Sequence, residues 1–568
     1  MNHFSKISDK AVEIPLRSPD VIMKLERLGA LFPNRLSFAR SLIRKMATEN
    51  WSINKENFDL DNKGIGTAIY KINTPIIPVW FVVFADDLEA SERTDRVIAE
   101  KWDATFALTT KEPDKEKLQN LKENIPLQEA GRCTSDELIL SRANKSVRLF
   151  DYVVNKLASG QQPSLDKLIE VGYLMRTTAV YGNGKFGLAD FEDMRGQGLF
   201  TLPFQAEMLC VYLARNFSFD WVEHIASKTK PTSWCRLNDN LKRGLGVGNA
   251  TGLGMAPFLV KHPKLISNWI LTRERALQKV NEIQEISAIK RRQFSEILKE
   301  AKMHIEEWST TDQRQAEILS FIIRELDTSP PFDRFLKMKN GWYKLSEWSK
   351  ENLGLETQEL VNSILIELYP ELVDNLERET GADDNMPLVP SMALDELENI
   401  IDSKYDWTMA FEKKEKANNA RFWYASENKE EPRLGWRFLE PGADKELRIG
   451  IAQEVQNLKT ALAMRKPTTS KLNVAEFLIL RPEFREIIQR IQNLQSHPYA
   501  EIRDNLLADI CRPINLLRCK LAMFGATKFD PKSDLWIRIT LFQGAPLKEQ
   551  LSHENLDNWL FPSLKNGF

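Results

Sequence analysis

Two β-branched and aromatic runs, roughly Thr67 to Ile72 and Pro78 to Ala85, flank Asn73, Thr74 and Pro75, a pattern that predicts a β-hairpin. Residues 20–49 precede it as one or two amphipathic helices divided by Pro33. From Thr134 onward Leu140, Ala143, Val147, Phe150, Val154 and Leu157 recur at steps of three and four as far as Gly160, which predicts an amphipathic helix closed by a C′ glycine. A second helix is expected from Pro163 and Ser164 through Tyr181, and a third across PFQAEMLCVYLARNFSFDWVEHIASK. Lys264 to Trp308 reads as one long helix, with Ala276, Val280, Ile283, Ser287, Lys290, Phe294 and Ile297 at steps of four and three. Its partner is expected at Asp312 to Leu326 or around Leu360 to Leu376, beyond the stop at Ser329, Pro330 and Pro331.

The segment Thr380 to Ser391, rich in small, acidic and proline residues, breaks every periodicity and marks a domain boundary. Beyond it helices are expected at Leu394 to Ile401, Leu447 to Met464, Glu483 to Leu494 and Ala500 to Ala522. Strands are expected at Arg421 to Ala425 and Leu535 to Phe542. The fold class is therefore mainly α, α+β overall: a multi-helical core, an N-terminal α+β portion with a hairpin, and minor C-terminal strands. The expected domains are residues 1–130, 131–380 and 391–568.

Composition narrows the function classes. With 78 basic and 80 acidic side chains in 568 residues, the chain has no global field to draw nucleic acid or anionic lipid, so neither a membrane nor nucleic acid is the expected partner. Five scattered cysteines without a CxxC pair fit neither a disulfide framework nor a zinc site, and suit a reducing cytoplasm. The six histidines never adopt HxH or HxxxH spacing, so no metal site is expected. The longest apolar run, Ile76 to Ala85, is far too short to span a bilayer, and the first 20 residues lack a signal-peptide core.

The one strong local anomaly is glycine. Ten of the 25 glycines fall between Gly182 and Gly254, in YGNGKFGLADFEDMRGQG and GLGVGNATGLGMAP. Gly182, Gly184 and Gly187 match GxGxxG, but a helix is expected before them and no second strand with an acidic end after them, so a dinucleotide fingerprint is not expected. YGNGKFG also resembles the glycine-rich loop of protein kinases, yet no HRD or DFG follows. No GK[ST] ends the second run, which removes a P-loop.

Around the first cluster Arg176, Thr177, Thr178, Tyr181, Asn183, Gly184 and Lys185 supply donors and two cations, the chemistry that holds a phosphate or carboxylate. Asn249, Thr251 and Gly252 occupy the second, read as a glycine-rich turn leading to a helix start at Ala256 and Pro257, or as a tight interhelical crossing. Between them Glu207, Val211 and Arg215 share a helix face, either as a solvated, charge-paired stripe or with Glu207 as a general base.

The leading expectation is a cytoplasmic enzyme that binds a small anion where the two loops meet. Arg176, Thr177, Thr178, Asn183, Gly184, Asn249, Thr251 and Gly252 would bind it, and Tyr181, Lys185, Glu207 or His224 would move protons. The cofactor and reaction type stay open, lyase, isomerase and oxidoreductase chemistry included. The competing expectation is a noncatalytic helical scaffold that binds a protein or, second to that, a nucleic-acid partner through its long helix, and either reading allows a homo-oligomer through residues 264–308.

Overall fold

The computed structural model describes residues 14–29, 32–89, 101–125, 134, 136–177, 197–252, 262–328, 332–381, 385–410, 451–464, 472–503, 515–533, 536–551 and 558–565. They form a mixed α+β fold around a nine-stranded sheet.

The strands are β1 (Ser52–Leu60), β2 (Gly66–Asn73), β3 (Val79–Ala85), β4 (Ala104–Thr109), β5 (Glu137–Lys145), β6 (Tyr173–Thr177), β7 (Gly246–Gly252), β8 (Lys528–Ser533) and β9 (Trp536–Leu541), in the order β1-β2-β3-β4-β5-β6-β7-β9-β8. Every pairing is antiparallel except β6 with β7. The last two strands come from beyond the linker at 380–391, so the C-terminal stretch returns to the sheet that the chain leaves at Gly252. Pro531, which lacks an N–H to donate, sits in β8 at the sheet edge, where such a residue is tolerated.

Helices of nine or more residues are α1 (Phe38–Thr48), α2 (Lys115–Asn124), α3 (Phe150–Ala158), α4 (Gln205–Thr229), α5 (Pro263–Asn281), α6 (Ala288–Glu307), α7 (Gln313–Asp327), α8 (Gly341–Asn352), α9 (Leu355–Glu367), α10 (Leu394–Lys404), α11 (Ile451–Ala463), α12 (Arg485–Leu494) and α13 (Asn515–Met523). All of β3 is buried because both faces are covered. Val82 and Phe84 pack with Leu121 of α2, while Phe81 stacks on Phe106, which meets Phe217 of α4. Helix α4 is apolar nearly all round, as a helix inside the core must be. Its Trp221 donates to the Gly64 carbonyl and packs on Phe150.

Several expectations change. The helix expected from Thr134 to Gly160 is strand β5, a turn, and the shorter α3. All nine residues of β5 are buried between layers, so the strand carries no period-two signal, and its apolar spacing imitates a helix. Val147, placed by that periodicity on the apolar face, lies in the turn and is 57% exposed. The second expected helix ends early: a short helix spans Leu165–Val171, Gly172 takes φ +79°, and the chain enters β6.

The long helix is two, α5 and α6. Gln284 between them accepts from Asn340 N–H, and Ser287 caps α6 by accepting from Lys290 N–H. Strand β8 was not anticipated. The expected strand at 421–425 lies outside the described residues, and only Asn515–Met523 of the expected C-terminal helix at 500–522 is described as helix.

The N-terminal segment is tied to the helical body by buried ion pairs. Arg17 binds Glu274 through both its Nε and an Nη (2.7 Å each), and Glu359 accepts from Arg17, Arg27 and Arg273. Three surrounding guanidinium groups hold the Glu359 carboxyl well below its ordinary range despite burial that opposes its charge.

Candidate functional site

Strands β6 and β7 are consecutive parallel strands joined through α4, and they divide the expected site residues between two faces of the sheet. Tyr173 pairs with Gly246 and Arg176 with Gly248, so β6 carries one extra residue there. That bulge puts Tyr173 and Arg176 on the same face. Gly248 also pairs with Thr540 of β9, and Arg538, two residues earlier in β9, projects from the same face.

A cleft of about 190 Å³ opens on this face, lined by Ser146, Val147, Arg148, Tyr173, Arg176 and Arg538. Three arginines, a serine and a tyrosine line it with Val147, and no acidic residue does among the described residues. Arg148 pairs with Glu170 at 3.4 Å, half exposed on both sides.

The glycines of the second cluster are what let this face close up. A Cβ on Gly248 would lie 2.7 Å from Arg176 Cγ and 3.0 Å from the Tyr173 ring, and one on Gly246 would lie 2.3 Å from the Leu541 carbonyl oxygen. The second cluster is therefore a central strand, Gly246–Gly252, where the sequence suggested a turn or a helix crossing. Its glycines make room for side chains and backbone of β6 and β9.

The opposite face is covered by helices. Asn249, fully buried, donates to the Thr177 carbonyl (2.5 Å), and Lys520 of α13 donates to Asn249 Oδ1 (3.5 Å). Burial lowers the Lys520 amine to about 7. Arg176 and Asn249 thus face opposite sides of the sheet, and the single pocket expected to hold both is not built.

Glu207, in the first turn of α4, is fully buried, and neither carboxylate oxygen has a hydrogen-bond partner among the described residues. Burial raises its pKa to about 8. One turn on, Cys210 Sγ lies 3.5 Å from Ser141 Oγ of β5. Arg215 is equally buried and donates to the carbonyls of Leu245, Lys242, Arg243, Ala545 and Pro546, tying α4 to the start of β7 and to the loop after β9. The solvated stripe suggested for Glu207, Val211 and Arg215 is accordingly a buried one.

His224 Nε2–H donates to the Asp61 carbonyl (2.8 Å), and the ring packs edge-on against Phe58. Seventeen residues along one helix put it about 25 Å from Glu207, so the two belong to different regions. Asp87, just beyond β3, accepts from Lys145 Nζ at 2.9 Å.

Thr178, Tyr181, Asn183, Gly184 and Lys185 lie outside the described residues, as do Gly182 and Gly187. Thr251 and Gly252 belong to β7. Strand β6 precedes the GxGxxG, contrary to the helix expected there, and the glycines themselves lie outside the described residues. The described residues contain no group of three or more His, Cys, Asp or Glu side chains able to hold a metal ion.

Sequence reasoning named Arg176 but missed Arg148, Arg538, Ser146 and Tyr173. Arg538 is more than 300 positions away, and only the β7–β9 pairing brings it in. No protein-family model, curated protein or solved structure matches this chain.

Proposed function

We propose that this protein binds a small anion, bearing a phosphate or carboxylate, in the cleft between Arg148, Arg176 and Arg538. The observation that carries this reading is the convergence of Arg148, Arg176 and Arg538, with Ser146 and Tyr173, on one concave surface. Guanidinium groups match oxyanions through paired N–H donors, and their charge does not depend on pH over the range in which proteins fold. Arg538 reaches the cleft from across Gly248 as a further anchor; the glycine-rich loop expected to supply Lys185 lies outside the described residues. Glu207 and Lys520 lie on the helix-covered face and take no part in holding this anion. Among the described residues no helix is long and apolar enough to cross a membrane.

Thermal unfolding of the full chain in millimolar phosphate, sulfate, citrate and chloride tests the reading. A ligand present at 100 times its Kd stabilises the folded state by about 2.7 kcal/mol. Wild type should be stabilised by at least one oxyanion beyond the chloride control, and Arg176→Ala and Arg538→Ala should each lose most of that gain. Equal stabilisation of wild type and both variants would remove the cleft as the site.

A further inference from the structure

We infer that Glu170 competes with the anion for Arg148, so that the ligand takes this arginine from an ion pair already made; this regulation of the cleft rests on the anion-binding reading above. The short helix Leu165–Val171 ends at Gly172, whose φ of +79° turns the chain directly into β6. One continuous stretch therefore carries Glu170 and then Tyr173 and Arg176, both of which line the cleft. Arg148, in the turn before α3, lines it too, and its Nη1 donates to Glu170 Oε1 at 3.4 Å. The other carboxylate oxygen, Oε2, lies 3.6 Å from Lys167 Nζ, three residues earlier on the same helix. Glu170 is thus shared between a cation of the cleft and a cation of its own helix.

This arrangement lets the pair give way. The Arg148 and Glu170 side chains are 41% and 48% exposed, and an ion pair so open to water contributes little, because solvent screens it and two long side chains must be held to make it. Rotation of the Arg148 side chain alone is enough to exchange one oxyanion for another. Glu170 then keeps Lys167, so the exchange strands no charge. Both equilibria draw on one guanidinium group. Whatever the pair contributes is subtracted from the affinity for the anion, and bound anion weakens the pair by the same factor.

Titration calorimetry of the full chain with sulfate and with inorganic phosphate, at constant ionic strength, tests the competition. Glu170→Gln should bind both anions about two- to fivefold tighter than wild type, the range set by an exposed ion pair. In Arg148→Gln, which should bind more weakly, adding Glu170→Gln should change nothing, because the shared guanidinium is gone from that arm of the double-mutant cycle. Asp166→Asn removes the same charge one turn earlier in the same helix and should leave the affinity close to wild type, which separates pairing from a general field effect even where Arg148→Gln binds too weakly to titrate. Arg148, Asp166 and Glu170 are all exposed, so these variants keep the fold. An equal gain from Asp166→Asn and Glu170→Gln, a gain that persists in the Arg148→Gln background, or no gain from Glu170→Gln while Arg176→Ala abolishes binding would overturn the competition and leave anion binding standing. No binding of either anion by wild type or by Glu170→Gln would overturn the anion-binding reading itself.

Discussion

The Arg176 side chain lies across Gly248: a Cβ on that glycine would sit 2.7 Å from Arg176 Cγ, closer than real Cβ contacts allow. The bare strand under the arginine is thus part of the cleft's construction, because it lets a residue of β6 reach over β7 toward Arg538 on β9.

Gly248→Ala should therefore move Arg176 and the Tyr173 ring together. We expect a destabilisation of about 1–3 kcal/mol, the usual cost of overpacking, and roughly tenfold weaker phosphate binding. Urea unfolding and phosphate titration measure the two effects separately. Unchanged phosphate affinity in a folded variant would show that the placement of Arg176 does not matter to the ligand.

Glu207 gives a pH signature of opposite sign to that of most carboxylates. Its folded pKa, about 8, lies above its ordinary value, so between about 4.5 and 8 the folded protein holds a proton that the unfolded chain releases. Its contribution is full below pH 4.5 and is lost as pH rises toward 8. Glu207→Gln, which keeps the shape of the neutral acid, should be more stable than wild type at pH 8, and the difference should shrink to near zero at pH 5. Melting temperatures across that range test this, and a constant difference would contradict a protonated Glu207.

Glu359 behaves in the ordinary direction. Its folded pKa is depressed by Arg17, Arg27 and Arg273, so its contribution is present above the unfolded value, about 4.3, and is lost as pH falls through the folded value. Glu359→Ala should cost about 3–5 kcal/mol near neutral pH, because it strands buried guanidinium groups. The gap from wild type should narrow below about pH 4. Guanidinium chloride is a poor denaturant for this measurement because its salt screens charges, and urea is preferred.

Arg215 should act as a structural clamp with no role at the cleft. Arg215→Met removes the donors to five backbone carbonyls that join α4 to the residues before β7 and after β9, at a cost of about 3 kcal/mol or more. Where the variant stays folded, its phosphate affinity should match wild type. A selective loss of phosphate binding at unchanged stability would instead connect the clamp to the site.

Legibility in the sequence followed burial pattern. The β2 and β3 runs were readable because β-branched and aromatic residues cluster between turn residues, and α4 because apolar positions recur over 25 residues. Strand β5 was not readable: a strand covered on both faces shows no alternation, and Leu140 and Ala143 happened to continue the helical spacing of α3. Of the cleft, Arg176 stood out by its polar company, whereas Arg148 had been counted within a helix and Arg538 within a distant strand with no mark of its own.

The sequence by itself determined the anomaly and its composition: a glycine-rich stretch next to an arginine, in a chain without overall charge bias or metal-ligand spacing. Only the tertiary structure decided what those glycines do. Alternation along a strand sends Arg176 and Asn249 to opposite faces, and pairing of β7 with β9 brings Arg538 beside Arg176 from the far end of the chain. Neither relationship is local in sequence. Strand register and sheet order are set by long-range hydrogen bonding and burial, which a linear pattern does not carry.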